Sequence, residues 1–269
     1  MNPANLSTKR QWIAELARSK SVLFSLHHVI DLDWMKEAYR LTRKDGAPGI
    51  DGVTAADYEA ALEANLLDLL NRIKSGRYHA PPVRRTYIPK ADGTQRPLGI
   101  PTFEDKVAQR AITMVLEAIY EQDFLPCSYG FRPGRSAHQA LQTLRTGLTQ
   151  RLWWVLDVDI RKYFDTISHR HLRAFLDQRV TDGVIRRMID KWLAAGVLED
   201  GHLHRPTEGT PQACPCEGRG RRHITPGLRR GRPVSRTSSC TMCWTNGTRT
   251  RCGRACGGTA CWSGSPMTW

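Results

Sequence analysis

The chain has 269 residues, with 40 Lys and Arg against 26 Asp and Glu and a formal net charge of +14. This length accommodates one or two domains, and the positive charge favours a polyanionic partner. No apolar run approaches the ~20 residues of a membrane span, and residues 1–20 contain no apolar stretch of signal-peptide length. The composition therefore predicts a cytoplasmic protein without a membrane partner.

Charge and cysteine are distributed unevenly along the chain. Residues 213–269 hold ten Arg against one acid, Glu217, which accounts for +9 of the +14, and they hold seven of the eight Cys. Only Cys127 precedes them. The first 212 residues are therefore typical of a reduced compartment with no disulfide framework.

The first half of the chain reads mainly as helix. Helical spacing of apolar residues predicts core-facing helices over 8–19 and 33–43. A Gly-rich loop covers 44–54, and Thr54 is the expected N-cap of a helix that continues to about residue 75. Two strands are predicted within 83–100, joined by a turn in which Gly93 supplies a positive φ, and a long helix follows over 103–122.

The second half of the chain contains two segments with candidate binding or catalytic residues. Residues 129–136 interleave aromatic and Arg side chains in a turn that leads into a helix capped by Ser136. The β-branched run 155–160 carries Asp157 and Asp159 at alternating positions. This pattern predicts a buried strand with carboxylates near its C-terminal end. Such carboxylates suit Mg²⁺, although Asp-x-Asp is also a common structural pattern. Helices over 169–179 and 182–195 and a hairpin over 197–206 are expected next.

Four segments, in chain order, carry a family resemblance: KDGAPGIDGVT at 44–54, RRTYIPKADGTQRPLGIP at 84–101, YGFRPGRSAHQAL at 129–141 and VLDVDIRKYFD at 155–165. They resemble the reverse transcriptases encoded by bacterial group II introns, over about residues 30–212, and the resemblance stops beyond Gln212. It implies an α+β fold with the fingers and palm of a right-hand polymerase, incomplete and followed by a disordered tail. The implied divisions are 1–53 for an N-terminal extension, 54–152 for the fingers, 153–212 for a partial palm and 213–269 for the tail.

The resemblance also implies roles for particular residues. Asp159 would be the catalytic metal carboxylate, with the Ile160 carbonyl and, as a secondary candidate, Asp157 as further Mg²⁺ ligands. Lys90 and Arg96 would clamp the nucleotide phosphates, whereas their pattern alone favours solvated surface cations. The remaining implied roles are Phe164 as the steric gate under the sugar, Arg132 and Arg135 as template contacts, Phe131 as either a base-stacking ring or a core anchor, and Gln212 as a template or nucleotide contact.

The segment after Gln212 departs from the family pattern. The expected Gly-Gly is replaced by Ala213-Cys214, and the later Cys residues, with His223, superficially suggest a zinc module. With one Leu, one Ile and one Val, residues 213–269 have too little apolar content for a small core, which favours a segment that never folds. Read one nucleotide earlier, the codons for 235–245 can spell LANVFLHYVLD, and those for 266–269 can spell Ala-Asp-Asp-Leu, both family-like. This pattern indicates translation out of frame from about Ser235.

The expected function is therefore RNA-directed DNA polymerisation by a group II intron reverse transcriptase with maturase ancestry. The expected cofactor is Mg²⁺, and the expected partners are intron RNA as template, a DNA primer and dNTPs. Because the second Asp-Asp turn of the family is missing from this reading frame, the chain itself is expected to be inactive. The alternative is a non-catalytic remnant that binds intron RNA.

Overall fold

The computed structural model describes residues 5–89, 93–150, 158, 160, 163–205 and 207–210. The described residues fall into two compact units, one within residues 1–122 and 162–219 and the other within residues 123–161 and 220–269. The described elements are α1 Leu6–Arg18, a 3-10 turn His27–Val29, α2 Leu32–Leu41, α3 Ala55–Glu59, α4 Leu62–Lys74, β1 Val83–Pro89, β2 Gln95–Ile100, α5 Phe103–Tyr120, α6 Ala137–Thr149, α7 Tyr163–Thr166, α8 His169–Asp177, α9 Gly183–Ala194, β3 Val197–Glu199 and β4 His202–His204.

Side-chain caps fix where the principal helices begin. Asp31 accepts a hydrogen bond from the Trp34 amide at 3.0 Å and starts α2. Thr102 accepts from the Asp105 amide and starts α5, while Ser136 starts α6 with a reciprocal capping box. A cap satisfies backbone N–H groups that have no partner within the helix. The predicted helices over 8–19, 33–43, 103–122, 169–179 and 182–195 are thereby confirmed, with ends that differ by one or two residues.

The single helix predicted from Thr54 to about residue 75 is wrong, because the chain breaks into α3 and α4. Thr54 caps α3 as expected, but Ala61 adopts φ −129° and ψ 41°, outside the helical region. The Tyr58 ring stacks on Tyr39, with centroids 6.4 Å apart, and lies 5.4 Å from the Phe103 ring. This packing holds α3 against α2 and α5, and it overrides the helix propensity of the Ala-rich sequence.

The core of the first unit surrounds α5. Helices α1 and α2 bring Ile13, Trp34 and Met35, all fully buried, against this helix. The Trp34 indole donates to the carbonyl of Ala111 at 3.0 Å, so the ring is fixed as well as buried. Helices α4 and α9 complete the same apolar cluster.

A four-stranded sheet with the order β2-β1-β3-β4 lies in the first unit. Strands β1 and β2 form the predicted antiparallel hairpin, and Gly93 has φ +79° as expected. The predicted hairpin over 197–206 is confirmed as β3 and β4. Strand β3 pairs in parallel with β1 through Val83 and Val197, a contact between distant parts of the chain. Pro97 is tolerated because β2 is an edge strand.

The Gly-rich loop before α3 packs on the start of α5. A Cβ at Gly49 would lie 2.5 Å from the Thr102 Cα, so only glycine allows this approach. The Lys106 ammonium donates to the Ala47 carbonyl at 2.9 Å and ties the loop to the helix. The loop is therefore a structural part of the first unit.

The predicted buried strand over 155–160 is wrong at the two of its residues that the structure describes. Val158 and Ile160 lie outside any strand and are 65% and 63% exposed. A buried strand needs a hydrogen-bonded neighbour, and none of the four described strands pairs with Val158 or Ile160. In the described ranges, no helix is both long and apolar enough to cross a membrane.

Candidate functional site

Four of the predicted site residues lie outside the described residues. They are Lys90, Asp157, Asp159 and Gln212. Their roles remain predictions. Ile160 is described and exposed, and its predicted role as a carbonyl ligand is likewise untested.

Arg96 lies on β2 of the hairpin, partly buried. It is directly opposite Ile88 on β1, so the two side chains project from the same face. Arg96 is thus held on a paired strand, one residue from the end of the ladder at Gln95. A guanidinium in this place can meet an anion that approaches the hairpin tip.

The neighbouring pair β1 and β3 carries a polar cluster on the sheet. The Tyr87 hydroxyl donates to the Glu199 carboxylate, which raises the pKa of Tyr87, and the Arg85 guanidinium lies 3.7 Å from the same carboxylate. Glu199 thereby links the two hairpins of the sheet. Sequence reasoning missed this cluster because it depends on the long-range pairing of β1 with β3.

Phe164 lies on the short helix α7 beside Tyr163, with ring centroids 5.5 Å apart and planes at 73°. Two backbone hydrogen bonds, each 2.7 Å long, join this turn to the segment before Gln212: Thr210 N–H donates to the Phe164 carbonyl, and Gly209 N–H donates to the Ile167 carbonyl. The structure therefore brings the predicted sugar gate next to the start of the Thr-Pro-Gln segment.

Two residues that the sequence reasoning missed hold this junction. His169 places its Nε2 2.7 Å from the Gly209 carbonyl. Gly209 has φ +77°, and a Cβ there would lie 2.6 Å from the Asp165 carbonyl oxygen. A Gly just before Thr-Pro-Gln was the available signal, because glycine marks positive φ or close backbone approach.

The Tyr129–Ser136 turn lies in the second unit and separates its three predicted contact residues. Phe131 is 74% exposed, with φ 55°, so its alternative role as a core anchor is wrong. Arg132 is only 9% exposed, and its Nη1 donates to the carbonyls of Leu125 and Ser128 at 2.9 and 2.8 Å. Its guanidinium therefore stabilises the turn itself.

Arg135 in the same turn is exposed and lies over the Tyr129 ring at 5.5 Å. The Tyr129 hydroxyl and the Thr143 hydroxyl of α6 are 2.7 Å apart, which anchors that ring to the helix. Arg135 and Phe131 consequently have the better access for a nucleic acid, whereas the predicted template contact of Arg132 has no support from its surroundings.

The described residues do not by themselves form a divalent-metal site. No group of three or more His, Cys, Asp and Glu side chains with suitable spacing occurs within the described ranges. The expected ligands Asp157 and Asp159 lie outside those ranges. Magnesium binding at Asp159 therefore remains a prediction.

Residues 88–235 match one known protein family. This range matches the profile of the family described as Reverse transcriptase (RNA-dependent DNA polymerase), and it contains Arg96, Phe131, Asp159, Phe164 and Gln212. The match continues past Gln212, so the family resemblance extends further along the chain than the four segments indicated. Members of this family generally use divalent metal ions, an RNA template, a primer and nucleotides.

Comparison with curated proteins gives relatives from several organisms. Protein YkfC of Escherichia coli K12 is 41% identical over 187 residues, which are 67% of this chain and 49% of that protein. Group II intron-encoded protein LtrA of Lactococcus lactis subsp. cremoris is 37% identical over 176 residues, 65% of this chain and 29% of that protein. Nuclear intron maturase 3, mitochondrial, of Arabidopsis thaliana is 32% identical over 119 residues, 44% of this chain and 16% of that protein.

The chain thus spans about half the length of the first of these relatives and less than a third of the second. Fold, motif order and family match agree with one another: a mixed α+β unit contains the paired hairpin with Arg96 and the junction of Phe164 with Thr210. The chain belongs to the reverse transcriptase (RNA-dependent DNA polymerase) family, among the group II intron-encoded reverse transcriptases and maturases.

Proposed function

We propose that this chain carries the fingers and the first palm segment of an RNA-directed DNA polymerase of a group II intron. Its substrates would be dNTPs, an intron RNA template and a DNA primer. The observation that carries the proposal is the double backbone hydrogen bond between residues 209–210 and the α7 turn. This bond pair connects the residue expected beneath the nucleotide sugar with the segment expected along the template.

Each site residue has a distinct task in this proposal. Arg96 on the paired strand β2, together with Lys90, neutralises triphosphate charge, and the Phe164 ring leaves no room for a 2′-hydroxyl. Mg²⁺ is the proposed ion, held by Asp159, the Ile160 carbonyl and Asp157, because it prefers carboxylate and carbonyl oxygens. Exposed Phe131 and Arg135 offer a ring face and a cation to unpaired template bases.

We further propose that the present polypeptide does not polymerise DNA. Residues 266–269 can spell the family's second acidic pair only in the shifted reading, in which the second Asp is forced. A two-metal phosphoryl transfer needs ligands from both acidic segments. Purified chain, supplied with a primed RNA template, dNTPs and Mg²⁺, should give no primer extension above the protein-free control, as measured on a denaturing gel.

The polymerase ancestry is tested with a version whose reading phase is restored from codon 235 onward, alone and with Asp159→Asn. The restored protein should extend the primer, and Asp159→Asn should reduce the rate by about a thousand-fold or more, since metal-ion charge stabilisation contributes several kcal/mol. A phase-restored, folded protein that does not extend primers, or an Asp159→Asn variant with normal activity, contradicts the proposal.

The second candidate function is a non-catalytic remnant that binds intron RNA. The observation that favours it is the exposure of both Phe131 and Arg135 on one turn, an arrangement that needs no catalytic metal. Salt-sensitive binding of the present chain to its cognate intron, with much weaker binding to unrelated RNA of equal length, would support this candidate. Equal binding of both RNAs would reject it.

A further inference from the structure

A basic concavity lies in the first unit, at the loop that leads into β1. It has a volume of about 370 Å³ and is formed by the loop 76–82, the end of α9 and Arg205. Its lining includes four basic side chains, Arg77, His79, Lys191 and Arg205. All ten lining residues are among those the structure describes, and none of them is a carboxylate.

One cation holds the wall of this concavity in place. The Lys191 ammonium donates to the carbonyl of Gly76 at 2.6 Å and to the carbonyl of Tyr78. These bonds fasten the loop 76–82 to α9, so the concavity is preformed. Arg77, His79 and Arg205 also line the concavity and are exposed.

The chemistry of the lining combines positive charge with apolar surface. Ala80, Pro82, Ala194 and Ala195 contribute small apolar groups between the cations. In sequence, residues 74–90 contain five Lys and Arg and no acid, so the positive charge extends along the loop beyond the concavity. Fixed positive charge around an apolar recess suits a ligand that has both phosphate and a flat apolar body.

We infer that this concavity binds one unpaired nucleotide of an RNA strand, with its base against Ala80 and Pro82 and its flanking phosphates at Arg77 and Arg205. The inference rests on the proposed function, because a protein that handles intron RNA has RNA available as a ligand. The volume is near the lower end of the range of about 300–1,000 Å³ for small-ligand sites. A volume of this size suits one base, so we expect the site to bind single-stranded RNA better than duplex.

The test measures binding of the full chain to a fluorescein-labelled 12-nucleotide single-stranded RNA by anisotropy across a salt series. Arg77→Gln with Arg205→Gln should weaken binding about tenfold at 0.15 M salt and lower the slope of log affinity against log salt by about 1.4, at ~0.7 for each lost phosphate contact. The matched control is Arg18→Gln with Lys36→Gln, two exposed cations on α1 and α2 outside the lining. It removes the same charge and should leave the slope unchanged.

A second variant separates the recess from the charges. Ala194→Trp fills the concavity while all four basic residues remain, so we expect weaker binding of single strands with an unaltered salt slope. Duplex RNA and 1 mM AMP should compete poorly with the labelled strand for the wild-type protein. Thermal unfolding of every variant at the wild-type temperature establishes that the fold is intact.

Several outcomes would overturn the inference: no RNA binding by the wild-type chain, an equal slope change in the Arg18 and Lys36 control, or no loss of affinity in Ala194→Trp. Full competition by AMP would instead indicate a free mononucleotide as the ligand and would also overturn it. The readout uses no primer, dNTP or metal. A failure here therefore leaves the polymerase proposal intact, and a failure of primer extension by the phase-restored protein leaves this site intact.

Discussion

Asp105 is a carboxyl group buried at the centre of the first unit. It is 1% exposed and accepts hydrogen bonds from the Tyr78 hydroxyl, the Trp192 indole at 2.6 Å and the Gln109 amide at 2.9 Å. Burial raises the pKa of Asp105 to about 6, although the bonds from Tyr78, Trp192 and Gln109 act to lower it. The residue joins the loop before β1, α5 and α9, so its ionisation is coupled to their packing.

The raised pKa of Asp105 gives a definite dependence of stability on pH. Between the ordinary value of 3.8 and about 6 the folded state binds this proton more tightly than the unfolded state. The free energy of unfolding therefore falls as pH rises through that range, by up to a few kcal/mol at ~1.4 kcal/mol for each pH unit. Urea unfolding at pH 4.5 and pH 7 measures this decrease in the free energy of unfolding.

Asp105→Asn should remove this dependence, so that the difference in stability between wild type and variant changes across pH 4 to 6. The matched control is Glu15→Gln at an exposed carboxyl group on α1, which should keep the contribution of Asp105 to the pH dependence. A wild-type protein and an Asp105→Asn variant that respond in parallel to pH would contradict the assigned burial.

The pKa of Asp182 is shifted in the opposite direction to that of Asp105. It is fully buried, and its carboxylate accepts from the amides of Leu26 and His27 at 2.7 and 2.9 Å, from His27 Nδ1, and from the Val184 and Ile185 amides that begin α9. Burial acts to raise the pKa of Asp182, but the hydrogen bonds from His27 and then from the backbone amides outweigh it and lower the pKa. Its contribution to stability is present above pH 3.8 and is lost at lower pH.

Asp182→Asn replaces one acceptor oxygen by an NH₂ group that faces donors, so we expect a loss of about 2–4 kcal/mol in the free energy of unfolding. Asp182→Ser keeps the cap of α9 and loses only the link to residues 26–27, and should cost about half as much. Chemical denaturation at pH 7 distinguishes the two. Equal stability of Asp182→Asn and wild type would reject the bonding scheme.

At the scale of elements, Gly209 controls the junction between α7 and the segment before Gln212. Gly209→Ala adds a Cβ 2.6 Å from the Asp165 carbonyl oxygen and forces an L-residue into φ +77°. We expect the two hydrogen bonds of this junction to open, with faster amide exchange at Gly209 and Thr210, at a cost of about 1–3 kcal/mol. Gly52→Ala is the control, because Gly52 also has φ +72° but has open space around it.

Hydrogen exchange monitored by mass spectrometry measures the difference between these two variants. Gly209→Ala should accelerate exchange at residues 207–210 and leave the amides of α5 protected, whereas Gly52→Ala should leave residues 207–210 unchanged. If both variants exchange alike at residues 207–210, the close approach of Gly209 to the Asp165 carbonyl does not control this junction.

Local sequence information predicted most helices and both hairpins, because apolar spacing, caps and turn glycines act over a few residues. It placed Thr54 and Ser136 correctly as caps. It could not show that Tyr58 would pack between Tyr39 and Phe103 and so divide one expected helix into two. It also could not show the pairing of β1 with β3, which depends on residues more than a hundred positions apart.

The same limit applies to the predicted site. Motif positions indicated Phe164 and the Thr-Pro-Gln segment as functional, but only the fold places Thr210 within hydrogen-bonding distance of Phe164. Arg132 and Arg135 are equivalent in sequence, whereas the fold buries the first and exposes the second. Burial is a tertiary property, so a motif alone cannot separate a binding arginine from one that stabilises its own loop.

At the scale of the whole molecule, the reading phase after residue 235 decides whether the polymerase site is complete. The family match ends at residue 235, and the shifted reading can spell family-like sequence from the same point. Because Met and Trp have single codons, Thr241–Trp244 forces Val and Leu in the shifted phase, and Met267–Thr268 forces Asp. These forced residues are what a palm strand and a second acidic turn require.

We therefore predict that the DNA, read one nucleotide earlier from codon 235, spells LANVFLHYVLD and then, across codons 266–269, Ala-Asp-Asp-Leu without an intervening stop codon. Nucleotide sequencing of this region tests the prediction. Third-position bases that give a stop codon, or residues with no apolar strand pattern before the Asp pair, would contradict the prediction. The expected sequence would supply partner carboxylates for the proposed metal ligand Asp159, because two metal ions bound side by side require acids from two chain segments.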